Sequence, residues 1–444
     1  MKRPWAWRIA VLAGGCAGLL LFAFLYRMHG PLYFAILTDW GLDPFRFPFL
    51  DSHAVTSSLE CARRGFDPYL HNPCDVLTRA FVYSPMILDA AFLPVTVAWT
   101  NGLGLGLALL LILSLASLPP PRGAREWGVM ALAALSTMSL YAVERGNIDI
   151  LVLAVVTLAG HLLWRGRAAR AGGYGLLLVG AALKYYPVVG LILALRERPR
   201  RFAMAVAASL AVLALFAVHY RHGLAEAMAL VPYGSYYTDF FGAVNLPFGL
   251  ARLLSPIRAE IPGAAPVLAA FPWIVLALLV ASCLRQAIAV AAAVPPPSRD
   301  SEPPAIFLVL AAALIVGCFF AGQSIGYRGI FFLLALPGLL ALGRRRDGQR
   351  FRATALMILF LMWGEMFREA LEHLSFSNDE AARALQTVRV AFWFARELIW
   401  WRVIAALGGI VLSFVAHCEM ARWARGRLGV AGSGDTADAA DSGN

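Results

Sequence analysis

The stretch Tyr174-Gly-Leu-Leu-Leu-Val-Gly-Ala-Ala-Leu-Lys184-Tyr-Tyr-Pro-Val-Val-Gly-Leu-Ile-Leu-Ala-Leu195 is apolar and nearly long enough to cross a bilayer. Its flanks forbid a simple crossing. Arg165-Gly-Arg-Ala-Ala-Arg170 precedes it and Arg196-Glu-Arg-Pro-Arg-Arg201 follows it, and both basic runs prefer the cytoplasmic side. A segment that enters and leaves on one face must turn inside the membrane. Lys184-Tyr-Tyr-Pro187 supplies the turn, because proline disfavours helical geometry in the residue before it. The expectation is a hairpin of two short helices, with Lys184 near its tip at membrane depth.

Outward from this hairpin, the chain repeats apolar segments of spanning length. Hydrophobic residues make up 60% of the 444 residues and charged residues only 15%, with a mean hydropathy of +0.69. A soluble fold has no place to bury so many apolar helices, so the bilayer is the solvent and the fold class is all-α, polytopic and integral to the membrane. The formal charge of +11 does not indicate nucleic-acid binding. Most of the arginines stand in short turns between apolar segments, as the positive-inside rule expects, and no nucleic-acid recognition motif accompanies them.

Threading the segments with those turns on one side gives a consistent order. Ile9–Tyr26 leaves the basic N-terminus as a retained helix, with no small-residue cleavage site to mark a signal peptide. Residues 29–80 form a large first outer loop. Val97–Leu118, Trp127–Val143 and Ile148–Trp164 follow, then the hairpin, then Phe202–Tyr220 and a second outer loop, residues 221–265. Pro266–Val290, Ala305–Ala321, Ile330–Leu342, Ala353–Phe367 and a span within Trp393–Val415 complete the set. The expectation is about ten full spans plus the broken hairpin, in one domain over residues 1–430. The small polar residues 431–444 read as a disordered cytoplasmic tail.

Cys16, Cys283, Cys318 and Cys418 lie in or beside apolar helices and read as packing. Cys61 and Cys74 both fall in the first outer loop, where an oxidising compartment permits a disulfide. No Cys/His spacing suits zinc, and His219 and His222 read as interfacial, so neither a metal nor a cofactor is expected.

Charged residues at membrane depth are costly and mark function. Lys184 is the only lysine besides Lys2 in a chain that otherwise uses arginine. A lone ammonium at a helix break suits a phosphate; the competing reading is a side chain snorkelling to the interface. Glu144-Arg-Gly-Asn147-Ile-Asp149 and Gln323-Ser-Ile-Gly-Tyr327-Arg328 form polar junctions on the same side as the large loops, joined by Tyr236-Tyr-Thr-Asp239 and Asn245 in the second loop. Each reads alone as a capped turn. Together they outline a shared outer cavity, with Glu144, Asn147, Asp149, Tyr185, Asp239 and Tyr327 as lining. Within the first loop an amphipathic helix begins near Asp51. That aspartate is either a helix cap or a general base for a hydroxyl, with Asp39, Asp43, Glu60 and Asp67 as rival bases.

The order of these motifs resembles the GT-C superfamily of membrane glycosyltransferases. Asp51, then Arg64-Gly-Phe-Asp-Pro-Tyr69 and Phe81-Val-Tyr-Ser-Pro85, looks like the first loop of glycosyltransferase family 87, which includes polyprenol-phosphate-mannose-dependent enzymes. Glu144–Asp149, Ala182-Leu-Lys-Tyr-Tyr-Pro187 and Tyr327-Arg328 extend the likeness over most of the chain. Tyr83-Ser-Pro85 departs from the tyrosine-proline-proline frequent in the family, and the Cys61/Cys74 pair reads as a subgroup feature. The resemblance implies a polyprenyl-phosphate sugar donor and transfer of a hexose such as mannose to a lipid or glycan hydroxyl. It implies inversion, with Asp51 as base and Lys184 and Arg328 on the donor phosphate. It also implies a bacterial plasma membrane with the active site on the extracytoplasmic side, and no nucleic acid among the partners. A lipid or small-molecule transporter or flippase is the rival, since such proteins also place charges at broken helices. The large first loop and the lack of an internal repeat argue against it.

Overall fold

The computed structural model describes residues 4–230, 234–255, 265–295, 303–375 and 378–427. The expected tail and parts of the second loop and of the linker 295–304 lie outside the described residues.

The protein is all-α. Its helices are α1 (Pro4–Met28), α2 (Gly30–Asp39), α3 (Leu50–Arg63), α4 (Thr100–Ser117), α5 (Ala124–Ala134), α6 (Thr137–Arg145), α7 (Asp149–Leu163), α8 (Arg167–Lys184) and α9 (Pro199–His219). Then come α10 (Arg221–Ala229), α11 (Asn245–Leu253), α12 (Ala265–Ala291), α13 (Pro303–Ala321), α14 (Phe332–Gly343), α15 (Gln349–His373), α16 (Asp379–His417) and α17 (Glu419–Arg427). Four 3-10 segments, Pro85–Phe92, Val97–Trp99, Tyr186–Arg196 and Gly326–Phe331, join them. Among the described residues, seven helices are long and apolar enough to cross a membrane, or eight when the bent pair α5–α6 counts as one. Adding α7, which has 15 residues, and α15, which has 25, would bring ten.

Packing divides these helices into a centre and a rim. Gly326–Gly343 is mostly buried, as is α13, while the most apolar window of α1 buries nothing and α9 and α12 bury little. That is the order expected in lipid, where apolar side chains at the rim remain solvated by hydrocarbon and close packing is reserved for the interior. Phe307, Leu310, Leu314 and Ile315 of α13, together with Phe332, Leu336 and Leu339 of α14, make the heart of this core.

Three sequence expectations change. The segment Trp127–Val143 is not one helix: α5 and α6 meet at a 40° bend, because the Ser136 hydroxyl accepts the Ser139 N–H and starts a new helix. The span sought within Trp393–Val415 belongs to the 39-residue α16, far longer than the roughly 20 residues a bilayer needs. Arg389 on its projecting end donates to the carbonyls of Leu371, Glu372 and Leu374 and fastens it to the end of α15. The first loop is not merely polar, since α2 lies in it and packs on α1 and α15.

The hairpin is present, with unequal halves. α8 ends at Lys184, Tyr185 turns with φ 22°, and Tyr186–Arg196 returns as a 3-10 helix packed on α8, with Pro187 against Gly180. Its basic flanks are held together by Glu197, which is buried, pairs with Arg170 at 2.8 Å and accepts the Tyr174 hydroxyl at 3.2 Å.

The first loop is stapled by a disulfide between Cys61, at the end of α3, and Cys74, with their Cα atoms 5.8 Å apart. A crosslink over so short a loop restricts the unfolded chain by about 3 kcal/mol in the loop-entropy picture. Replacing both cysteines by alanine should therefore lower the thermal midpoint in detergent and speed proteolysis of residues 61–80. An unchanged midpoint and unchanged cleavage would show that the staple carries no stability.

Candidate active site

The site begins with a backbone irregularity. Phe49, the residue before α3, is left-handed (φ 67°), and its N–H donates to the Glu144 carbonyl at 2.6 Å. This aims the first turn of α3 at the α6–α7 junction. Asp51 in that turn does not act as a cap. Its Oδ1 accepts from Arg145 Nη2 at 2.7 Å and Nε at 3.2 Å, its Oδ2 accepts from Asn147 Nδ2 at 2.6 Å, and Arg79 Nη1 stands 4.0 Å away. The carboxylate is 5% exposed, so these partners replace water.

Gly146 makes the junction. Its φ of +57° places Arg145 and Asn147 on either side of Asp51, and its carbonyl accepts the Ser52 hydroxyl at 2.7 Å. A Cβ there would lie 2.4 Å from Ser52 Oγ, so the turn has neither the conformation nor the room for another residue.

Asn147 is fully buried and joins two charged centres. Its Oδ1 accepts from Lys184 Nζ at 3.1 Å and from the Asp149 N–H at 2.8 Å. The orientation of the amide follows from chemistry, since a carboxylate only accepts and an ammonium only donates. Lys184 also pairs with Asp149 at 2.9 Å, and the Asp149 carboxylate takes the Tyr186 hydroxyl at 2.6 Å and faces Arg328 Nε at 3.6 Å. Lys184 lies 5.0 Å above the Tyr83 ring and Arg328 5.0 Å above the Tyr186 ring, cation–π contacts that hold both charges in place. Burial, with Asp51 and Asp149 nearby, pushes the Tyr83 phenol well above its ordinary range, so it stays protonated.

Charges do not balance across this cluster. Four cations, Arg79, Arg145, Lys184 and Arg328, face three carboxylates, Asp51, Asp75 and Asp149. The surplus is positive and suits an anionic ligand such as a phosphate. Among the described residues no group of three or more His, Cys, Asp or Glu side chains is arranged to hold a metal ion.

Of the remaining sequence candidates, Tyr327 stays beside the cluster, within reach of the charges of Asp51, Asp149 and Arg328, and the others lie apart from it. Tyr327 packs on Tyr141 at 5.7 Å, and Tyr141 in turn lies under Arg145. Asp239 lies beside Gly326, and burial and the charge of Glu365 push its carboxyl up to about 6. Its loop is clamped by the buried Arg396, which donates to the carbonyls of Thr238 and Phe240. Tyr185 turns toward Ser84, and it is Tyr186 that reaches Asp149. The Glu144 carboxyl makes no hydrogen bond to the cluster and lines a separate cleft. Of the rival bases, Glu60 is tied to Arg64 and the Val97 N–H, and Asp67 to the Tyr69 N–H. Sequence reasoning missed Arg79, Tyr83, Arg145 and Tyr186. Arg145 and Tyr186 lay inside quoted motifs next to the residues chosen, whereas Arg79 gave no signal.

What these helices and this site define together is an all-α membrane protein with a surplus of positive charge gathered beside a buried carboxylate. The family model for Glycosyltransferase family 87 matches residues 77–322, more than half of the chain. The chain belongs to that family, and the protein is a glycosyltransferase. Arg79, Tyr83, Arg145, Asn147, Asp149, Lys184 and Tyr186 fall within the matched stretch, while Asp51 and Arg328 flank it. No curated protein and no solved structure matches the chain.

Two outcomes follow from this geometry. Gly146→Ala should cost more than about 1 kcal/mol of stability and lower activity disproportionately, because the strained turn carries both partners of Asp51. Activity and thermal midpoint measured on one preparation test this, and wild-type values in both would refute it. His53 on α3 accepts the Val76 N–H at Nε2 (3.2 Å) and faces Thr100 at Nδ1. Burial lowers its pKa, aided by Arg79 and opposed by Asp75. A depressed histidine stabilises the fold in its neutral form, so this contribution is present above about pH 6.5 and is lost as pH falls through the folded value. Protection factors for amide exchange in residues 74–80 should fall on acidification, and His53→Gln should flatten that response.

Proposed function

We propose that this glycosyltransferase moves a hexose, with mannose the first sugar to test, from a polyprenyl-phosphate donor to a hydroxyl of a lipid or glycan acceptor. The observation that carries the reading is the Asn147 bridge. One side-chain amide holds Asp51 at one end and Lys184 at the other, so a base and a phosphate-binding cation lie within one residue's reach of each other.

The chemistry is a single displacement. Arg145 occupies Asp51 Oδ1 twice and Asn147 occupies Oδ2 once, which leaves a lone pair on Oδ2 for the acceptor's proton. As Asp51 takes that proton, the hydroxyl oxygen bonds to the anomeric carbon and the bond from that carbon to the phosphate oxygen breaks. The leaving polyprenyl phosphate gains negative charge, which Lys184 and Arg328 stabilise. Attack from the side opposite the phosphate inverts the anomeric centre. Asp149 is the counter-ion that keeps both cations in place until the donor arrives.

The location follows the same reading. α7, the returning half of the hairpin and α14 each run from this cluster to an arginine-rich turn, at Arg165, Arg196 and Arg344. Positive turns favour the cytoplasm, which supports an extracytoplasmic position for the cluster; the bacterial inner membrane is what the family resemblance implies. There a lipid-linked donor arrives by lateral diffusion.

Purified protein in nanodiscs, given radiolabelled polyprenyl-phosphate mannose and membrane lipids, should yield covalently labelled product. Asp51→Asn should reduce turnover by about 10²–10⁴-fold, the range of general-base removal. Lys184→Gln and Arg328→Gln should each lower turnover at unchanged folding. Label that crosses a vesicle membrane without covalent transfer would favour the flippase and defeat the proposal, as would full activity in Asp51→Asn.

A further inference from the structure

A second cavity, of 620 Å³, lies apart from Asp51 and Lys184, between α1 and the helices α2, α4, α5 and α6. It runs the length of α1, from Trp7, Leu115 and Trp127 near the chain's start to Phe49, Asn101 and Glu144 near the α6–α7 junction. Its volume falls in the range of about 300–1,000 Å³ typical of ligand sites, and its walls are mainly aliphatic.

The glycines of α1 shape it. Gly15 lets α1 approach α4, since a Cβ there would meet Ile112 Cγ1 at 2.8 Å. Gly14 and Gly18 also line the cavity, yet a Cβ on either would meet nothing within 4 Å. Close helix packing accounts for the first glycine and not for the other two, which keep space open.

The second observation is Glu144. This carboxylate lines the same cavity and is 5% exposed, and neither of its oxygens has a hydrogen-bond partner of ordinary geometry, although the Phe45 N–H stands nearby. Arg145, its neighbour in sequence, is committed to Asp51. A buried carboxyl group without a partner of ordinary geometry calls for a hydrogen-bonding group from a ligand, and a hydroxyl can both donate and accept.

We infer that this cleft holds the hydrocarbon chain of the acceptor, a lipid whose uncharged head carries hydroxyl groups, with one hydroxyl donating to Glu144. Calling this lipid the acceptor rests on the transfer reaction proposed above. Charge selects it over the donor. The donor's phosphate is drawn to the four cations gathered around Asp51 and Asp149, whereas the lining of the cleft holds one cation, Arg27, and one acidic side chain, Glu144. Phe49 and Glu144 both line this end of the cleft, the Phe49 N–H donates to the Glu144 carbonyl, and Asp51 lies two residues beyond Phe49 and near enough for its charge to act on Glu144, so a multi-hydroxyl head anchored there lies beside the Asp51 centre. The acceptor class is thereby narrowed from lipid or glycan to a hydroxylated lipid.

Photo-crosslinking tests this without requiring turnover, so it stands or falls separately from the transfer reaction. Two diazirine-bearing probes of equal chain length are used in nanodiscs, an octadecyl glucoside and an octadecyl phosphate. The glucoside should label α1 and α4 saturably, about tenfold more strongly than the phosphate, a ratio worth about 1.4 kcal/mol. Gly14→Leu with Gly18→Leu should abolish that labelling at an unchanged thermal midpoint. Glu144→Gln, which preserves volume, should erase the preference between the probes even if the leucine variant does not fold. Equal labelling by both probes in the wild type, without saturation, would mean that ordinary bilayer lipid fills the cleft. Preference for the phosphate would assign the cleft to the donor. Either result overturns the inference.

Discussion

The structure depends on a rule that water would relax: a charge held at membrane depth must find its partner within the protein. Asn147 is where the rule is met most tightly. Its amide nitrogen serves a carboxylate and its amide oxygen an ammonium, so two oppositely charged centres are kept apart and yet fixed relative to one another. Were Asp51 and Lys184 to pair directly, each would neutralise the other. Interposing a neutral amide leaves both in place as separate tools.

The elements around the site make sense as supports for that amide. Gly146 allows the chain to turn sharply enough to present Arg145 and Asn147 together, and Phe49 accepts a left-handed backbone to bring α3 against them. The break after Lys184 ends α8 where its last side chain is needed. On the far side, Arg396 and Glu365 clamp the second loop over the segment that carries Arg328. Strain and buried charge are concentrated in these connections, whereas α1, α9 and α12 leave most of their apolar residues unburied.

How much of this could be read from the chain depended on the kind of signal. Spanning helices were legible because an unbroken apolar run of about twenty residues matches the bilayer's thickness and seldom suits a water-facing helix. The hairpin was legible because two basic flanks contradict a single crossing. The α5–α6 bend was not, since Leu135-Ser-Thr-Met-Ser139 holds no glycine, proline or charge to break the run, and it is the Ser136 hydroxyl that starts the second helix. Asp51, Lys184 and Arg328 stood out in the sequence, and so did Asn147 and Asp149 among their partners, but other partners were missed. Arg145 looked like part of a self-paired turn, and Tyr186 was passed over for Tyr185 because a one-residue choice at a proline break depends on backbone angles that residue type does not reveal. Arg79 and Arg396 gave no warning at all. An arginine in an apolar chain reads as a topology marker until its burial is seen.

The hairpin also bears on how the protein is made. Lys184 alone in hydrocarbon would oppose insertion by about 2.5–3.5 kcal/mol, and a hairpin whose return half is a 3-10 helix has little length with which to offset that. Its counter-ion, Asp149, opens α7 and is therefore synthesised first. The acid is thus already waiting when the ammonium emerges from the ribosome. Reversing the order of those two helices would keep every contact of the finished fold and yet oblige the lysine to enter the bilayer unaccompanied.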